Sequence, residues 1–178
     1  MSFAAVLYFE ENHEEELLRI WESLSAENLT ANLAEAEIRP HITLAIFDEL
    51  NCRPCDSQLA KVAAHNRPIS FQITHLGLFT KPEPVVFAAP TITQELLSFH
   101  KDIHETLAAE AKNPWEMYIP GQWVPHCTLA LGFDLKNLGR IFEISLGLGL
   151  PMHAQADQVG IVEFQPMKDV FRFRLISD

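Results

Sequence analysis

Apolar and polar positions along the chain fall into stretches of period two and stretches of period 3.6, and the two periods divide it into strands and helices. Phe3–Phe9 is apolar and β-prone, a first strand. From Glu11 to about Ser25, Leu17, Leu18, Trp21 and Leu24 recur at helical spacing. The acidic run Glu10, Glu11, Glu14, Glu15 and Glu16 sits at the start of that helix, where its dipole favours negative charge. Residues 40–47 form a second strand. Residues 48–56 read as a loop, and Asp56 or Ser57 as the cap of a helix to about Asn66. Residues 69–78 alternate and pair with 84–88 across Thr80-Lys81-Pro82-Glu83. Thr93 caps a helix to about Lys112, with an apolar stripe of Leu96, Phe99, Ile103 and Leu107; Asn113-Pro114 ends it. A loop carrying Trp115, Tyr118 and Trp123 leads into a strand over 125–133. Asp134 caps a helix to about Ser145, broken by Gly147 and Gly149, and residues 152–164 and 170–176 form a closing hairpin. Residues 27–39 fit neither period.

Two of these strands share one spelling. Residues 40–45 read Pro-His-Ile-Thr-Leu-Ala and residues 125–130 read Pro-His-Cys-Thr-Leu-Ala, with the histidines 85 residues apart. Alternation puts His41 and Thr43 on one face of their strand and Ile42 and Leu44 on the other; His126 and Thr128 are set against Cys127 and Leu129 in the same way. A polar face of imidazole plus hydroxyl, backed by an apolar face and written twice, suggests two half-sites on a common cleft. The order strand, helix, motif strand, helix, strand also recurs. The expectation is one α+β domain, 1–178, with an internal repeat over roughly 3–78 and 84–176. It is bilobal: two similar lobes with antiparallel sheets and flanking helices, a pseudo-twofold, and the site in the cleft between them.

Bulk composition narrows the function classes. The chain is 48% apolar and 21% charged, as in globular domains. Its net charge of −11, from 13 basic and 24 acidic residues, argues against clamping long nucleic acid, but a local site can still attract a small anion. The apolar start is short, lacks a basic leader and runs into Glu10-Glu11, so it reads as a strand rather than a signal peptide. No run approaches a membrane helix. Three cysteines, Cys52, Cys55 and Cys127, do not make a disulfide framework, and a reducing, cytoplasmic setting is expected.

The paired His-x-Thr motifs, His41-Ile42-Thr43-Leu44 and His126-Cys127-Thr128-Leu129, resemble those of the 2H phosphoesterase superfamily, which includes the 2′-5′ RNA ligase and RNA 2′,3′-cyclic phosphodiesterase group. The element order extends the resemblance over roughly residues 3–176. It implies hydrolysis of a 2′,3′-cyclic phosphate to a 2′-phosphate, with catalytic His41, Thr43, His126 and Thr128. No metal or cofactor is implied, and the substrate is a small nucleotide or short RNA with a cyclic end. Two histidines suit the chemistry because each titrates near working pH, one as base and one as acid. By analogy His126 is the base on water and His41 the acid on the leaving oxygen. The threonine hydroxyls can donate to phosphoryl oxygens. A 2′-5′ ligase in the same site and a non-catalytic nucleotide sensor are the alternatives.

Other residues carry weaker expectations. Arg39, two positions before His41, could share its strand face and meet phosphate. Trp123 is the favoured platform for a base among Phe47, Phe79, Trp115, Tyr118 and Phe133. Cys52-x-x-Cys55 could be a redox pair or half a zinc site, but no second pair follows. His100 and His104, four apart on a helix, could share a metal, but they neighbour the apolar stripe, and packing or surface placement is expected of them.

Overall fold

A computed structural model describes residues 2–31, 33, 38–164 and 168–176. Among the described residues, eight strands and four helices follow one another as β1 (Phe3–Phe9), α1 (Glu11–Ala26), β2 (His41–Leu50), α2 (Cys52–Ala64), β3 (Ile69–Phe79), β4 (Val85–Pro90), α3 (Gln94–Leu107), β5 (Ala111–Pro114), β6 (Cys127–Leu131), α4 (Leu138–Ser145), β7 (Met152–Glu163) and β8 (Lys168–Arg174). The expected elements are there, with shifted bounds. The stretch 48–56 is not a loop: β2 continues to Leu50 and α2 starts at Cys52, before the expected caps. α3 stops at Leu107, and Ala111–Pro114 instead pairs with the end of β2 as β5. β6 begins at Cys127, so His126 stands just before its strand. Thr93 does cap α3, accepting from the Leu96 N–H. Asp134 caps a short 3₁₀ turn that leads into α4. Gly147 lies in a further 3₁₀ turn, and Gly149, at φ +65, is the residue that ends the helical run.

Every strand pairing is antiparallel, in the order β5-β2-β1-β7-β3-β4-β6, with β8 also on β7. The long strand β7 joins two arms. Its first part pairs with β3 (Ile69↔Ala156 to Ile73↔Met152) and its last part lies against β1 and β8. β3, from the first half of the chain, thus belongs with β4 and β6, while β7, from the second half, belongs with β1 and β2. The arms are therefore not the sequence halves.

One face of the sheet carries the main core. Leu7, Phe9, Ile42, Leu44, Val86, Leu129, Val159 and Ile161 pack there with Leu17 and Leu24 of α1, Leu59 of α2, Phe99 and Ile103 of α3 and Ile141 of α4. This core runs under both arms without a break. Burying one such side chain contributes about 1.5–3 kcal/mol, so the helices are held chiefly by their apolar stripes. The opposite face is left to side chains of the other parity, among them Tyr8, His41 and Thr43 on one arm and Phe87 and Thr128 on the other.

Candidate active site

Period two puts each motif histidine on the face away from the core, because the residues that follow them, Ile42 and Cys127, are buried in it. His41 stands directly across from Tyr8 on β1, and Thr43 across from Val6. Thr128 stands across from Phe87 on β4. His41 and His126 are each half-buried, and Thr43 is buried at 9% exposure.

The two imidazoles are oriented in the same way. His41 Nδ1 lies 2.7 Å from the Arg39 carbonyl, and His126 Nδ1 lies 2.7 Å from the Val124 carbonyl. A carbonyl only accepts, so Nδ1 carries the proton in both rings and Nε2 keeps its lone pair in the neutral form. Burial pushes both pKa values below the ordinary histidine range; the carbonyl bonds partly offset this. A charge on His126 lowers His41 further.

The motif strands stand far apart in the strand order, yet they meet. β2 lies against β6, which brings the His41 backbone close enough to the Cys127 thiol to favour its ionised form. Burial nonetheless pushes that thiol up to about 12, so it stays a neutral packing group. Two indoles tie the strands together. Trp123 Nε1 donates to the Thr43 carbonyl at 2.9 Å, and Trp21 Nε1, from α1, donates to the Thr128 carbonyl at 3.0 Å. Beyond them, Thr30 and Ala31 satisfy the Leu131 carbonyl at the end of β6, and the Thr30 hydroxyl accepts from the Leu131 N–H.

The surroundings of the histidines differ. His41 has the Tyr8 ring edge-on at 6.1 Å, with the Arg39 guanidinium 4.8 Å over that ring. His126 sits among Phe79 at 4.9 Å, Phe87 at 5.4 Å and Tyr118 at 6.3 Å. Phe79 and Phe87 are stacked at 4.3 Å. The tip of the Phe87 ring covers Gly77, its cross-strand partner; a Cβ there would fall 2.1 Å from it.

Trp123 is 8% exposed, with one face stacked on His100 at 4.0 Å, and its N–H is committed to Thr43. It holds the motif strand rather than presenting a free ring. Arg39 forms a forked ion pair with Glu14 of α1. His100 and His104 each direct Nε2 at a backbone carbonyl, of Tyr118 at 2.9 Å and of Leu44 at 3.2 Å. Burial brings His100 down to about 4. Cys52 and Cys55 occupy the first turn of α2; burial raises both thiols, Cys55 to about 11, which disfavours the reactive thiolate. Sequence reasoning did not single out Tyr8 and Asp169, whose contact joins β1 to β8; only the closing hairpin brings them together.

Comparison with known proteins shows the family and the fold. The model of the 2′-5′ RNA ligase superfamily matches residues 9–165. The chain belongs to that superfamily of 2H phosphoesterases. Among solved structures, apo E. coli LigT superposes with a TM-score of 0.63 at 13% identity, covering 99% of this chain and 98% of that one. TT0787 of Thermus thermophilus gives 0.58 at 15%, covering 98% of each. Usb1 of Kluyveromyces marxianus gives 0.54 at 6%, covering 98% of this chain and 97% of that one. At such identities these likenesses establish the fold. The search of curated proteins finds no match. Among the described residues, no helix of this 2H phosphoesterase is long and apolar enough to cross a membrane.

Proposed function

We propose that this 2H phosphoesterase hydrolyses 2′,3′-cyclic phosphate ends of nucleotides or short RNA to 2′-phosphates, without a metal. Water attacks phosphorus, forming the new P–O bond as the bond to the ribose O3′ breaks. His126 Nε2 takes the proton from water, and His41, protonated at Nε2, gives its proton to O3′. Thr43 and Thr128 donate to the phosphoryl oxygens as charge builds there. The observation that carries the reading is the matched pair of imidazoles: each has Nδ1 tied to the carbonyl two residues earlier, and they are close enough for one to feel the other's charge. LigT structures complexed with 3′-AMP, ATP and NADP+ support a small nucleotide ligand. With Trp123 buried, a base would stack on the aromatic residues around His126. The Arg39 charge is already matched by Glu14, which leaves the phosphate chiefly to the threonines.

The test is an assay in EDTA on nucleoside 2′,3′-cyclic phosphates and a short cyclic-ended RNA, with His41→Ala and His126→Ala alongside. The expected result is a 2′-phosphate product, lost in both variants. Turnover that persists in both would overturn the mechanism. Tight nucleotide binding without turnover of any cyclic substrate would make the cleft a sensor. The superfamily's description favours testing the reverse reaction in the same site, where the histidines exchange roles: joining of RNA ends measured beside hydrolysis separates the two directions.

A further inference from the structure

The two half-sites match in motif but not in charge. Behind His41, the buried Tyr8 (1% exposed) donates its hydroxyl to Asp169 Oδ1 of β8 at 2.5 Å, while Arg172 Nη1 binds the other oxygen, Oδ2, at 2.8 Å. Tyr8 and His41 are cross-strand partners, so this carboxylate is linked to His41 through one ring. The arrangement depends on close approach at Gly160. A Cβ there would meet the Phe171 carbonyl oxygen at 2.9 Å, Arg172 Cβ at 3.1 Å and Tyr8 Cε2 at 3.2 Å. His126 has only rings and the Val124 carbonyl, and among the described residues no carboxylate acts on its protonation.

We infer that Asp169, held in place by Tyr8, is a positioning residue that supplies the negative charge balancing a protonated His41, and so makes His41 the acid and His126 the base. This rests on the hydrolytic reading of the site and gives its two histidines distinct roles from their surroundings. Of the charged groups facing His41, Asp169 is the one that favours its protonation, against a larger opposing effect of His126. From β1, Tyr8 stays protonated because burial and Asp169 both oppose its ionisation. From β6, Cys127 stays a thiol, and a charge on His126 would disfavour one on His41. Ahead of β2, Arg39 is matched by Glu14 of α1. From β8, Arg172 engages the oxygen that Tyr8 leaves. The field of Asp169 favours the charged form of His41. Tyr8 is too buried to touch substrate, so it acts through Asp169 and His41.

The test follows the imidazole signals of His41 and His126 by NMR titration of the substrate-free protein, in wild type, Asp169→Asn and Tyr8→Phe. Alongside it runs the pH profile of kcat/KM on a cyclic phosphate. In Asp169→Asn the His41 titration is expected to fall by about half a unit or more while that of His126 holds. The alkaline limb of the profile, which needs the acid protonated, moves to lower pH by the same amount, and the acidic limb stays. Tyr8→Phe leaves the carboxylate to Arg172 alone, and the same shift is expected, smaller; this variant carries the test if Asp169→Asn does not fold. An unchanged His41 titration in a folded variant overturns the inference, as does a shift at His126 instead. Because the NMR arm needs no turnover, wild-type protein inactive on cyclic phosphates would sink the hydrolytic reading and still decide what Asp169 does to His41.

Discussion

At the scale of the residue, a histidine two positions beyond its carbonyl acceptor is a local geometry, which is why both imidazoles orient alike (Arg39 O to His41, Val124 O to His126). The catalytic weight placed on the threonines can be read directly. Thr43→Val and Thr128→Val keep the β-branched shape and remove the hydroxyl; each is expected to lower kcat by about 100-fold or more with little change in KM, as for the loss of one oxyanion donor. Gly77→Ala tests the aromatic wall of His126. Its Cβ has no room beneath Phe87, so Phe87 must move. A loss of about 1–3 kcal/mol in chemical denaturation is expected, together with reduced turnover, since Phe87 packs against His126. The faces on which the four motif residues lie were legible because alternation is a short-range property. The surroundings of Arg39 and Trp123 were not, because Glu14 and His100 reach them from other elements, and a partner distant in sequence leaves no periodic trace.

At the scale of the element, the layer of α3 and the loop before β6 braces the motif strand β2. Trp123 stacks on His100 and donates to Thr43, while His104 donates to Leu44. Trp123→Phe keeps most of the ring and loses the N–H, leaving a buried carbonyl short of a donor. It is expected to cost about 1–3 kcal/mol in a denaturant titration and to lower turnover through β2. The same layer predicts a pH dependence of stability. The folded pKa of His100 is depressed to about 4, so the unfolded chain binds the proton more readily. Stability from this group is therefore present above the ordinary histidine pKa and lost as pH falls from there towards about 4, by at most about 3 kcal/mol. Thermal melts across that window should show the fall, and His100→Gln, which keeps a side-chain donor, should flatten it. The short strand β5 escaped the periodic reading because four residues, Ala111–Pro114, show no alternation worth the name. It is a strand because β2 runs on to Leu50 and offers its edge, where Lys112 also meets Glu49 at 2.6 Å.

At the scale of the molecule, the inner strand order β2-β1-β7-β3-β4-β6 reads the same from either end once β1 is exchanged with β4, β2 with β6 and β3 with β7. We propose that residues 3–78 and 84–176 descend from one duplicated unit whose last strands exchanged places; this order and the repeated motif are what support it. The exchange has a direct consequence. A fragment 1–80 would carry β3 without β4 and β7, and a fragment 81–178 would carry β7 without β1 and β3. Each is expected to remain unfolded alone by circular dichroism, and the mixture to recover structure and, if the site is as proposed, activity. A fragment that folds cooperatively by itself would contradict this dependence.

What the chain determined on its own is what repeats within a few residues: the helical stripes, the strand alternation, the buried side of each His-x-Thr strand and the two polar faces. Those follow from backbone geometry and the exclusion of apolar side chains from water, which act locally. Which edges pair was decided only in three dimensions. The crossing of β3 and β7, the closure of β2 onto β6 under two indoles, the burial of Trp123 and the ion pair of Arg39 each depend on a partner that chain order does not name. The unequal charge around two identical motifs belongs to the same class. Asp169 is an ordinary strand residue until β8 packs beside β7, and folding alone brings its carboxylate to Tyr8 and, through it, to His41.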